Sequence, residues 1–384
     1  MAGPRVLLVL SAHASWSRGI LRGFSPVAHE LGWDLLHYYP GTSLEWLGRT
    51  WKPAVTVLGP EVQGDWSASG DSGIVLSVND DRTCGGIPSV CLDEVRIARA
   101  ALEHLQDRGL RQVTTFRYDQ SPFAVAREQA FREAATASGL RVSPGWRANG
   151  ASAPCAHEDP ATISSWLDRL PRPCGVFACC DAWALVVARY ARAGNLRVPE
   201  DLAVLGVDND ATACELTVPP LSSVSVPWQR VGRQAAELAR LALSREPIAG
   251  RRVVIGPGPV VTRRSTDALA IEDSLVARAV RWIHEHADRA LTVPSVARAV
   301  ATSRRRLERR FHAVLGRTVL QEIRRVRVET AKRLLSTTHY RLPHVAKLSG
   351  FTSAALLSVA FHKELGLPPG AYRRHVRGSP QDDD

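Results

Sequence analysis

A chain of 384 residues, 45% of them apolar, has room for two or three domains with real cores. Nothing in it approaches the ~20 consecutive apolar residues of a membrane span. The net charge of +11 is unevenly placed: residues 1–271 hold 28 Lys/Arg against 27 Asp/Glu, whereas residues 272–384 hold 21 against 11, which predicts a near-neutral body joined to a part that binds a polyanion.

The chain opens MAGPRVLLVLSAHA, with an arginine, an apolar run and Ala12-His13-Ala14. The run VLLVL is shorter than the roughly 7–15 residues of a secretory core segment, so it is expected to be a buried first strand. Strand-like runs then recur at residues 5–11, 34–39, 54–59, 73–78, 112–116, 175–180 and 202–208. Between several of them lie helical patterns: RGILRGFSPVAHEL, DEVRIARAALEHLQDRG and AREQAFREAATASG, the last two stopping at Gly. Apolar strands alternating with amphipathic helices predict parallel sheets covered on both faces, and about 260 residues of such alternation predict two lobes with a cleft. Of the seven cysteines, none pairs at CxxC spacing. That argues against structural zinc and for a reducing, cytoplasmic compartment. Cys179 and Cys180, in CGVFACC, read as buried small hydrophobes.

The segment RRSTDALAIED (263–273) reads as a linker, and beyond it the pattern is short helices with tight turns. In LTVPSVARAVATS, Thr292 can cap, Pro294 suits a first turn, and Val293, Val296, Ala297 and Val300 form one apolar face. After a three-residue turn a second helix starts near Ser303 within TSRRRLERRF, which has five arginines in ten residues. Leu307, Phe311, Val314 and Leu315 form its expected apolar side. At about 100° per residue, Arg305, Glu308, Arg309 and His312 share the opposite side, flanked by Arg306 and Arg310, with Arg304 at the start. This predicts a helix-turn-helix over 292–313. A second unit follows about 48 residues later, over 341–364, and the long helix TVLQEIRRVRVETAKRLLSTT joins the two. A short acidic tail occupies 379–384.

With GFTS at 350–353, Phe361 and LPPGAYR, this order resembles the paired helix-turn-helix domain of AraC-type transcription regulators, expected over 272–378. The resemblance places Arg305 and Arg309 where base edges are reached, and an arginine can donate two hydrogen bonds to guanine. Glu308 could accept from a cytosine amine or merely hold neighbouring arginines; Arg304, Arg306 and Arg310 suit phosphates. Two departures stand out. Family turns commonly carry Gly where this chain has Ala301, and a left-handed residue there would cost about 1 kcal/mol, unless the turn avoids that conformation. In the second unit Val359 replaces the usual arginine, which leaves Thr352, Ser353 and Lys363 as the main polar contacts, better suited to phosphates than to bases.

The runs GIPSVCLDEVRIARAALEHLQDRG, AREQAFREAATASG and VPEDLAVLGVDNDATACELTVPPLSSV resemble a LacI/GalR-type effector domain, itself built like a periplasmic sugar-binding protein. Its joining to an AraC-type end resembles the xylose operon regulators. The implied fold is a two-lobed α/β effector domain (1–268) followed by an all-α paired helix-turn-helix domain. Cleft candidates are Asp93, Asp181 and Asp208, each at a strand's carboxyl end, where a carboxylate can accept from sugar hydroxyls. Arg127 and Arg18 are added by resemblance, and Phe123, Trp16 and Trp183 could pack on a sugar face. For Asp93 and Asp181, helix capping is the competing explanation, and for Trp16 and Trp183 plain packing. No GxSxG, HExxH, Walker loop or GxGxxG occurs. The expectation is a non-enzymatic regulator without cofactor or metal, whose partners are double-stranded promoter DNA, a monosaccharide such as xylose, and a second copy of the chain. RNA polymerase is a further candidate partner. A non-sugar effector, a degenerate cleft or a sugar-active enzyme are the alternatives.

Overall fold

The computed structural model describes residues 3–11, 14–38, 50–60, 62, 73–79, 86–148, 160–267, 273–289 and 291–377. Tyr39, Ala12-His13, Cys84, Cys155, the 268–272 part of the expected linker and the acidic tail lie outside the described residues.

Two sheets dominate the first two-thirds. The first contains β1 (Arg5–Val9), β2 (Asp34–His37), β3 (Val55–Leu58), β4 (Ile74–Val78), β5 (Ser89–Leu92) and β12 (Arg252–Ile255), in the order β12-β5-β4-β3-β1-β2 with every pair parallel. The second contains β6 (Gln112–Arg117), β7 (Arg141–Val142), β8 (Trp146–Arg147), β9 (Cys174–Ala178), β10 (Leu202–Asp208), β11 (Ser222–Ser225) and β13 (Val260–Val261). Its order is β13-β11-β10-β9-β6-β7, with β8 also paired to β6 and β13 antiparallel to β11. The chain therefore passes between the lobes after β5, after β11 and after β12. Central strands such as β3 and β9 are buried along their whole length, which is why they read as continuous apolar runs.

The helices that cover these sheets include α1 (Ser15–Glu30), α2 (Glu94–Gln106), α3 (Pro122–Ala137), α4 (Pro160–Arg169), α5 (Asp181–Ala193), α6 (Ala211–Leu216) and α7 (Trp228–Leu243). The glycines of RGILRGF have a packing reason. A Cβ on Gly23 would lie 1.9 Å from the Gln229 carbonyl oxygen, and one on Gly232 would lie 2.0 Å from that of Ile20. Only glycine lets α1 and α7 approach so closely.

The expected linker needs correction at its start. Arg263, Ser265 and Thr266 are 4%, 1% and 0% exposed. Ser265 Oγ donates to the Val204 carbonyl, Arg108 Nε donates to the Thr266 carbonyl, and His104 Nε2 lies 2.8 Å from Thr266 Oγ1. This polar sequence is not a free connection, because Arg263, Ser265 and Thr266 find buried partners in the second lobe.

The last third is helical: α8 (Ser274–His286), α9 (Val293–Ala299), α10 (Arg304–Leu315), α11 (Val319–Thr337), α12 (Leu342–Leu348), α13 (Ala354–Leu365) and α14 (Pro369–Arg377). Helix α11 serves two small cores, giving Ile323 and Val326 to one around Leu307 and Phe311, and Val328 and Leu335 to another around Leu357 and Phe361. Each buried ring contributes about 2–3 kcal/mol. Val314, expected on the apolar side of α10, is 43% exposed, whereas the next residue, Leu315, packs against the core. Among the described residues no helix is long and apolar enough to cross a membrane.

Candidate functional site

Two places gather groups that could bind something, one between the lobes and one on the basic helices. Between the lobes, Arg127 on α3 is 1% exposed, yet carries a full charge. Its Nε donates to Glu94 Oε2 at 2.6 Å, its Nη2 to Glu94 Oε1 at 3.1 Å, and its Nη1 to the Cys179 carbonyl. Glu94 is the first residue of α2, directly after the first crossing from β5, so this pair stands where the lobes meet. Burial disfavours the guanidinium's charge, but Glu94 and then Asp208 outweigh it and hold the pKa above its ordinary value. Phe123, partly exposed at the head of α3, has its ring 5.3 Å from the same guanidinium.

Asp208 ends β10 with φ 113°, followed by Asn209 at φ 54°. Two non-glycine residues in succession at positive φ store backbone strain at the carboxyl end of a central strand, where such sites occur. Asp208 is pushed well above the usual carboxylate range by burial first and then by the Asp181 charge, with Arg127 opposing. Asp181 is 1% exposed; its Oδ2 accepts from the Asp210 amide at 2.8 Å and from Cys214 Sγ, while its Oδ1 has no partner among the described residues. Burial pushes its pKa up to about 7. Glu94, Arg127, Asp181 and Asp208 thus form one electrostatic unit, with fewer positive than negative groups and one spare buried acceptor.

The other candidates fall differently. Asp93 caps α2, accepting from the Arg96 amide at 2.9 Å. Asp181 is not a cap: Cys180 holds that position, and the carboxylate reaches across to Asp210 instead. Arg18 stands exposed in the first turn of α1. Trp16 packs 6.0 Å from Trp228, and Trp183, 4% exposed, stacks on Phe123 at 6.5 Å. Sequence reasoning missed Glu94, Asn209 and Arg263. Arg263 Nη2 donates to Asn209 Oδ1 at 2.8 Å, tying the strained strand end to the chain's exit from this lobe. A glutamate at a helix head reads as an ordinary first-turn acid, and no periodicity marks a buried arginine in a polar segment.

In the helical third, Thr292 and Ser295 form a reciprocal cap on α9, and the chain turns through Ala301 at φ 53° into α10, which Ser303 caps. Arg305, Arg306 and Arg309 are exposed, and among the described residues no hydrogen bond or ion pair engages their guanidinium groups. Arg304 Nε donates to Glu308 Oε1 at 3.1 Å, so Glu308 holds a neighbouring arginine. Arg310 Nε donates to Asp273 Oδ2 at 2.6 Å, and Asp273 also caps α8, so this arginine closes a helix junction. The second unit matches the first at an offset of fifty residues in its outer helix. Ser353 caps α13 as Ser303 caps α10, Leu357 and Phe361 are buried like Leu307 and Phe311, and Gly366 ends the helix at φ 73° as Gly316 does at φ 65°.

Residues 102–266 match the periplasmic binding protein-like domain family, and residues 296–375 match a helix-turn-helix domain family. The chain joins a periplasmic-binding-protein-like domain to an AraC-type helix-turn-helix domain. It is 29% identical over 296 residues to the xylose operon regulatory protein of Escherichia coli strain K12, covering 74% of this chain and 73% of that protein. It is 36% identical over 157 residues to the transcriptional regulator CelR of Thermobifida fusca, 41% of this chain and 44% of that one. A solved structure of a xylose-binding transcription activator superposes with a TM-score of 0.63, at 24% identity, over 96% of this chain and 97% of that one. A CelR–cellobiose complex superposes with a TM-score of 0.56, at 26% identity, over 69% and 86%.

In this AraC-type domain the nineteen residues of α11 span about 28 Å, close to one turn of duplex DNA. Ala301 does adopt the left-handed conformation, at the place where the second unit's turn has Gly350 at φ 80°.

Proposed function

We propose that this chain is a sequence-specific transcription regulator whose affinity for promoter DNA is set by a monosaccharide, xylose or a related sugar, bound between the lobes. The effector part ends near residue 268 and the DNA-binding part begins near 272. Asp208, Asp181 and Glu94 accept from sugar hydroxyls, Arg127 donates to them, Phe123 offers a ring face, and Asp93 and Arg18 complete the rim. On DNA, Arg305 and Arg309 read guanine edges. Arg304, Arg306, Thr352, Ser353 and Lys363 hold phosphates, and Arg310 joins them when Asp273 releases it. The protein acts as a homodimer in the cytoplasm, with RNA polymerase as its onward partner.

The observation that carries this reading is one chain with a buried Glu94–Arg127–Asp208–Asp181 cluster between two lobes and three unengaged arginines on a helix-turn-helix face. The names of its relatives, with xylose and cellobiose among them, support the sugar class. Thermal unfolding against a panel of pentoses, hexoses and their phosphates tests it. A ligand at 100 times its dissociation constant adds about 2.7 kcal/mol to the folded state. A panel with no stabilising sugar would overturn the effector half of the proposal.

A further inference from the structure

The two outer helices of the DNA-binding part share a framework but present opposite chemistry. At the fifty-residue offset, Val359 occupies the place of Arg309, Ala355 that of Arg305 and Leu356 that of Arg306. Val359 is 68% exposed and Leu356 54%, so neither belongs to the core held by Leu357, Ala360 and Phe361. At about 100° per residue, Val359 lies at the centre of the outward face, with Ala355, Leu356, His362 and Lys363 around it. The adjacent serine is withdrawn: Ser358 Oγ donates to the Ala354 carbonyl one turn back. Ser353 Oγ is taken by the Leu356 amide as a helix cap. The outward face of α13 is therefore an apolar ridge with Lys363 on its flank, and the neighbouring helices carry the exposed cations Arg341, Lys347 and Arg374.

We infer that α13 reads DNA through this ridge, with Val359 and Leu356 packing on thymine 5-methyl groups in the major groove. The inference rests on the DNA-binding reading above and names what the second helix recognises. A groove about 12 Å wide admits a helix, and thymine alone among the four bases projects an apolar group into it. Lys363 and the exposed cations of the neighbouring helices suit phosphates, which hold the helix in register while the ridge contacts bases. An arginine in place of Val359 would seek a guanine; valine gains only where a methyl group displaces water from it. The two half-domains thus specify different sequences: guanine under α10, thymine in A·T pairs under α13.

The experiment starts with a binding-site selection on the full chain. The selected duplex is then made again with deoxyuridine for thymine under one helix at a time, which removes the methyl and nothing else. For the native chain, affinity should fall about fourfold for each methyl lost under α13. In Val359→Ser and Leu356→Ser, both surface changes, this sensitivity should disappear while the dependence of affinity on salt stays as in the native chain. Equal affinity of the native chain for the thymine and deoxyuridine duplexes would overturn the inference and leave DNA binding itself standing. So would a Val359→Ser chain that selects the same bases with the same affinity, since the ridge would then serve a protein partner. Failure of the native chain to bind any duplex would overturn the DNA reading on which the inference rests.

Discussion

Asp181 shows how far one residue can be read from sequence and where reading stops. Its position after an apolar strand marked it as a cleft candidate, with helix capping as the competing explanation. In the structure it does neither alone: it satisfies the Asp210 amide across the turn and keeps one oxygen without a partner among the described residues. Burial raises its pKa to about 7, so its protonated form is favoured by folding. The sign follows from linkage: the contribution is complete below the ordinary carboxylate range and is lost as pH rises through about 7. Without sugar, the lobes should lose about 1 kcal/mol from this group between pH 6 and pH 8. Asp181→Asn, which keeps an acceptor for the Asp210 amide, should shrink that loss. Thermal unfolding at the two pH values checks this, and equal pH slopes for the two proteins would remove the buried carboxyl from the account. Asp208 was proposed from its place at a strand's carboxyl end and Arg127 through the resemblance; the structure brings the two within electrostatic reach of each other. Glu94 was missed, because its neighbour Asp93 took the capping role and nothing in sequence shows that a helix head also meets an arginine from the next helix of the same lobe.

At the scale of elements, strongly periodic stretches were legible and short polar strands were not. The seven apolar runs each contain a strand, whereas β11 reads SSVS and is buried throughout. Its serines find partners in Arg263, Ser265 and Thr266, a tertiary fact that no local pattern carries. The helix-turn-helix units were legible in caps, spacing and apolar faces, because each is a local structure fixed by a few contacts. The turn before α10 kept one conflict. Ala301 sits at φ 53°, where its Cβ is strained, and the equivalent place in the second unit uses glycine. Ala301→Gly should therefore stabilise the DNA-binding part by about 1 kcal/mol, read as a higher unfolding midpoint. A lower midpoint would mean that glycine's added freedom in the unfolded chain exceeds the relieved strain.

Across the whole molecule, a chain of polar contacts runs from the cleft toward the DNA-binding helices. Asp208 adjoins Asn209, which accepts from Arg263. Four residues on, Asp267 Oδ1 lies 2.9 Å from His284 Nδ1 of α8, and His284 Nε2 lies 3.4 Å from Glu322 Oε1 of α11. Burial opposes the imidazolium, but Asp267 and Glu322 outweigh it and raise His284 to about 9, so the contact is an ion pair at neutral pH. Beside it lies a cavity of about 920 Å³ lined by Arg263, Asp267, His284, Glu329 and Arg333. A regulator that responds to a sugar requires a junction with two arrangements that the ligand favours unequally, and these contacts are the ones such a change would have to remake. The direct test is the affinity of the native chain and of Asp208→Asn for the selected duplex, with and without the sugar that stabilises the native protein. The sugar should change the native chain's affinity at least fivefold, in the range of ordinary coupling energies. It should leave Asp208→Asn, which binds the duplex as the unliganded native chain does, unchanged. A native affinity indifferent to a sugar that demonstrably binds would contradict the account.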